Sequence, residues 1–109
     1  MAPPSPARLY ASAAGALLIV VGIAGFFFDR DWLNFFHVAA GAIGLLLAGG
    51  APRLYALVLG LVLVLVGLAG WGFAEGEAWL QWLHLALGLL GLAAYAGSEP
   101  RAQTAAERP

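Results

Sequence analysis

Two stretches decide the fold: Asn34-Phe35-Phe36-His37-Val38-Ala39-Ala40-Gly41-Ala42-Ile43-Gly44 and Gln81-Trp82-Leu83-His84-Leu85-Ala86-Leu87-Gly88-Leu89-Leu90-Gly91. Each places one histidine four residues before a glycine and seven before a second one, so the chain carries the same unit twice. Upstream the likeness continues at a constant offset: Arg8, Tyr10, Ala11, Gly15, Gly22 and Gly25 recur as Arg53, Tyr55, Ala56, Gly60, Gly67 and Gly70. Two extra residues in the second loop restore the register between Trp32 and Trp79. Such self-similarity points to a duplicated supersecondary unit, here repeats 8–50 and 53–97.

Composition sets the solvent. Hydrophobic residues make up 62% of the 109 and charged ones 10%, and every charge lies outside four apolar stretches near 9–28, 32–50, 53–74 and 78–97, or at their edges. Each stretch covers most or all of a hydrocarbon core of about 30 Å at about 1.5 Å per residue. A soluble chain of this size lacks the interior to hide so much apolar surface. The expected fold is all-α and polytopic: four transmembrane helices forming two duplicated hairpins, with a pseudo-twofold along the membrane normal. Residues 1–8 are expected to form an N-terminal tail, 9–97 the bundle and 98–109 a flexible C-terminal tail. The first stretch reads as a retained helix, because its Arg8 and glycines are copied in a segment that cannot be a leader.

Charge placement orients the chain. Arg8, Arg53, Arg101 and Arg108 fall on one side, and only Arg30 stands on the other among Asp29, Asp31, Glu75 and Glu77. Arginine excess marks the inner face, so both termini are expected in the cytoplasm of a bacterial inner membrane. All four Trp and six Phe lie toward the outer ends and all three Tyr toward the inner ends, which reads as two interfacial belts. The chain has no Cys, so thiolate metal sites and thiol nucleophiles are excluded. No basic stripe suggests nucleic acid.

The glycines carry the expected packing. His37, Gly41, Gly44 and Ala48 share one helix face, as do His84, Gly88, Gly91 and Tyr95. Without apolar burial to drive association in lipid, small residues let backbones approach, and the two histidines on those faces are expected inside the bundle. Asp31 sits where an N-cap for the second helix belongs.

With the elements Gly22-Ile23-Ala24-Gly25-Phe26-Phe27, Asn34-x-x-His37-x-x-x-Gly41-x-x-Gly44 and Leu83-His84-x-x-x-Gly88-x-x-Gly91, the chain resembles an uncharacterised family of small bacterial four-helix membrane proteins, the domain of unknown function 4383 type. It departs from that pattern in having Gln81 where the second half would carry Asn, and in a shorter first outer loop. The resemblance implies a four-span bundle and no activity.

Three functions compete. The leading one is a non-enzymatic structural or accessory role, with membrane lipid around it and another membrane protein or a second copy as partner. The alternative is a bis-histidine b-type haem carrier. Diagonal helices about 11–14 Å apart would let His37 and His84 ligate from both faces, with Gly41 and Gly88 making room, Asn34 and Gln81 orienting the imidazoles and Arg30 meeting propionates. The third is a proton- or metal-responsive bundle in which the two histidines recruit Asp29, Asp31, Glu75 or Glu77. Hydrolysis lacks a nucleophile, since Ser5, Ser12, Ser98 and Thr104 lie away from both histidines.

Overall fold

The computed structural model describes residues 3–28, 32–73 and 78–99, and these form four helices: α1 (Pro6–Phe28), α2 (Leu33–Ala48), α3 (Pro52–Phe73) and α4 (Ala78–Ala96). α1, residues 52–70 of α3, and α4 are long and apolar enough to cross a membrane; α2 is equally apolar but has 16 residues, about 24 Å.

Two helix starts differ from the hydropathy edges. α1 begins at Pro6, inside the expected tail, because Ser5-Pro6 is a start signal that apolar counting does not register. The Ser5 Oγ accepts the Arg8 N–H at 3.2 Å, and a proline in the first helical position loses no helix bond. At α2 the N-cap is Trp32, in helical geometry and without a side-chain cap, while Asp31 lies outside the described residues. The α2–α3 turn uses Gly49-Gly50 with no left-handed residue; the Gly50 and Ala51 N–H groups both donate to the Leu47 carbonyl, at 3.1 and 2.8 Å.

α1 packs chiefly on α2, and α3 chiefly on α4. The reason is glycine opposite glycine. A Cβ on Gly15 would stand 2.8 Å from the Gly41 carbonyl oxygen, and one on Gly60 would stand 2.9 Å from that of Gly88, so the backbones touch where no side chain fits. Gly15, Gly41, Gly60 and Gly88 are thus consumed inside their hairpins. Between hairpins, α1 also meets α3 and α4, and α3 meets α2, whereas α2 and α4 do not touch. The cross-section is a rhombus with α1 and α3 on its short diagonal.

The core is uneven along the axis. Among the described residues, the buried hydrophobic side chains, namely Ala7, Ala11, Ala14, Ala48, Tyr55, Ala56 and Ala94, lie in the half nearest the start of α1 and the end of α4, called here the termini end. Ser98 closes that end: its Oγ accepts the Ala7 N–H at 2.8 Å and donates to the Ala94 carbonyl at 2.7 Å. This corrects the placement of Ser98 in a flexible tail, since the side chain is 4% exposed. Ser98→Ala is expected to cost about 1–2 kcal/mol, by stranding a first-turn N–H of α1, and to speed hydrogen exchange at Ala7 by tenfold or more. Unchanged exchange there would show that the contact holds nothing.

Candidate functional site

The polar residues within the helices fall into two layers. Deeper in the bundle are Tyr10 and Tyr55. Tyr55 rests its ring on Gly44 and donates its hydroxyl to the Ala40 carbonyl at 2.9 Å; Tyr10 rests on Gly91 and donates to the Leu87 carbonyl at 2.9 Å. In each case the accepting carbonyl belongs to the residue four before the glycine, so the ring lies over the turn whose oxygen it reaches. Each tyrosine therefore fastens one hairpin to the other. The belt reading of Tyr10 and Tyr55 is corrected: they point inward, and only Tyr95 stays near an interface, under the Arg53 guanidinium at 4.2 Å. The signal was available in the sequence, where both tyrosines immediately precede alanines in a small-residue face.

Toward the other end, rich in Trp and Phe, lie His37, His84, Asn34 and Gln81. Asn34 and Gln81 are buried, 8% and 5% exposed, because their side chains press onto Gly25 and Gly70 of the adjacent helix in the same hairpin. They are packed against α1 and α3 respectively. His37 and His84 are half-buried, each with an Nδ1 that is shielded from solvent and has no hydrogen-bond partner. They stand on α2 and α4, the two helices that do not touch.

The two histidines form no haem-binding pair here: the positions expected to make room, Gly41 and Gly88, pack against Gly15 and Ile19 and against Gly60 and Val64. A cleft lined by Arg8 and Arg53 and a groove lined by Ile43 and Val58 hold no histidine in their walls. No group of three or more His, Cys, Asp or Glu side chains converges among the described residues; Asp29, Arg30, Asp31, Glu75 and Glu77 lie outside them.

The aromatic end has local order of its own. Phe26 and Phe35 meet edge to face at 4.8 Å, as do Trp32 and Phe36 at 5.0 Å. Trp32, Phe35, Phe36, Trp79 and Trp82 nevertheless remain more than half exposed, as suits rings that lie against lipid.

Fold and site together define a small all-α protein whose helices suit a bilayer. No family model, curated protein or solved structure matches the sequence.

Proposed function

We propose that the chain is a small non-enzymatic integral membrane protein that acts by helix–helix association with another membrane protein. In this reading all four helices lie in a bacterial inner membrane with both termini cytoplasmic, α2 being accommodated by local thinning. The hairpins are duplicates related by a pseudo-twofold along the membrane normal, as the paired Tyr10 and Tyr55 contacts support. The family expectation, the domain of unknown function 4383 type, belongs to the same proposal.

One observation carries it. With Gly15 and Gly22 turned into the hairpin, α1 keeps a second, exposed face of three alanines and one valine, Ala13, Ala16, Val20 and Ala24. Those positions step by three, four and four, one continuous stripe of the kind that lets a helix of another protein approach closely.

The experiment is extraction in polymer-bounded native-lipid discs followed by mass determination. Wild-type protein is expected in a stoichiometric complex with a second membrane protein. The double variant Ala16→Leu, Ala24→Leu is expected to weaken the complex tenfold or more, because overpacking a close contact typically costs about 1–3 kcal/mol. A lone wild-type chain, or a complex indifferent to both leucines, would overturn the reading.

A further inference from the structure

A cavity lies at the termini end, at the opposite end of the helices from the histidines. It is an open cleft of about 570 Å³ between the start of α1, the α2–α3 turn and the start of α3, lined among others by Ser5, Arg8, Arg53, Leu54 and Glu99. Two guanidinium groups and one carboxylate face one space, with one positive charge in excess. That volume is typical of small-molecule sites.

Arg53 is held for a purpose other than closing its own hydrogen bonds. Its guanidinium lies over the Tyr95 ring at 4.2 Å and donates one N–H to the Tyr95 carbonyl at a long 3.4 Å. Its Nε–H is shielded and has no partner. A guanidinium has five donors in a fixed fork, and the planar stack leaves that fork rigid, which suits the oxygens of a phosphate.

A second cavity shares the wall residue Leu54 with the first. It is a groove of about 380 Å³, almost wholly apolar, that runs between α2 and α3 along Ile43, Leu47, Val58 and Val62. From Leu54 to Val62 it descends about 12 Å along the helix. A charged cleft at one end of an apolar groove is amphipathic in the sense of a lipid.

We infer that this composite site binds one phospholipid whose headgroup carries both a phosphate and an ammonium, the ethanolamine class. Arg8 and Arg53 take the phosphate as charge-assisted hydrogen bonds, Glu99 takes the ammonium, and an acyl chain fills the groove between α2 and α3. A free phosphate ester would use the cleft and leave the groove idle; a headgroup without an ammonium would satisfy the arginines and leave the Glu99 carboxylate unpaired beside its phosphate. The inference rests on the membrane reading of the chain and is independent of its association with another protein.

The test uses the full chain, purified in mild detergent, stripped of lipid and titrated with dioleoylphosphatidylethanolamine, dioleoylphosphatidylglycerol or soluble glycerophosphoethanolamine, with bound mass read by native mass spectrometry. One ethanolamine lipid is expected per chain, with glycerophosphoethanolamine at least tenfold weaker. Arg8→Gln and Val58→Trp should each weaken the diacyl lipid about tenfold, and Glu99→Gln should abolish the preference over the glycerol lipid. Arg8 is exposed and contributes only its backbone N–H to the helix start, so its variant remains folded, as circular dichroism would verify. Binding unaffected by Arg8→Gln and Val58→Trp, equal binding of the soluble headgroup, or an indifferent ranking of the two lipids would each overturn the assignment. If the chain failed to insert into liposomes at all, the membrane reading would fall first; insertion without selective binding would remove only this site.

Discussion

Tyr55→Ala is expected to remove about 3 kcal/mol or more from the unfolding free energy measured by sodium dodecyl sulfate titration in mild micelles. Tyr55 is 5% exposed, the largest side chain in the core, and Gly44 exists as a seat for it. Deleting the ring leaves a cavity against a residue without a side chain, so nothing nearby can fill it by changing rotamer, and large-to-small aromatic deletions of this kind typically cost about 3–5 kcal/mol. Tyr55→Phe separates the two contributions. It removes only the hydroxyl, and the Ala40 carbonyl keeps its helical bond, so the loss should be about 1 kcal/mol. Tyr95→Ala is the control, because Tyr95 is half-buried near the end of α4, packs on the edge of the Ala7, Ala56 and Ala94 cluster and stacks under Arg53, a contact worth about 0.5–2 kcal/mol. Equal losses for Tyr55→Ala and Tyr95→Ala would show that Tyr55 fastens nothing. If they differ as expected, Tyr10→Ala should behave like Tyr55→Ala, because its ring rests on Gly91 and its hydroxyl reaches the same depth of α4.

Much of this architecture is legible in the residues. The four apolar runs give four helices, and the glycine periodicity correctly marks the faces that pack. What the pattern cannot supply is the partner of each face. Gly41 and Gly44 are one turn apart and look alike in sequence, yet Gly41 meets the α1 backbone and Gly44 receives a tyrosine from α3. That distinction depends on the splay of the hairpins, which is set by both contacts at once. The same ambiguity produced the haem expectation: a histidine four residues before a glycine reads equally well as a ligand beside a cofactor gap and as a polar residue beside a helix contact. Sequence alone does not show that Ile19 and Val64 pack beside Gly41 and Gly88. The cleft at Arg8 and Arg53 was invisible for a different reason. Arginines at helix ends are ordinarily topology signals, and only the Tyr95 stack and the groove beside Leu54 give these two a shared space.

Gly88→Ala should be strongly damaging, whereas Gly70→Ala, on the same hairpin, should cost far less. The contrast follows from what the new Cβ meets. At Gly88 it would stand 2.7 Å from the Val64 backbone nitrogen and 2.8 Å from the Gly60 carbonyl oxygen, atoms that move only if α3 moves. Relief requires the α3–α4 axes to separate, which loosens every close contact along the hairpin. At Gly70 the new methyl collides only with the end of the Gln81 side chain, which can turn about its own bonds. Overpacking typically costs about 1–3 kcal/mol, and Gly88→Ala should lie at the top of that range or above it. Helix propensity opposes the effect, since alanine is favoured over glycine within a helix by about 1 kcal/mol. For Gly70→Ala the propensity gain can offset the displaced amide, so a net change near zero is expected. The measurement is the same detergent titration, supplemented by distance distributions between spin labels placed on α3 and α4. A stable Gly88→Ala protein with unchanged α3–α4 distances would mean that the backbones are not in contact there, and the account of why these two helices pair would have to be abandoned.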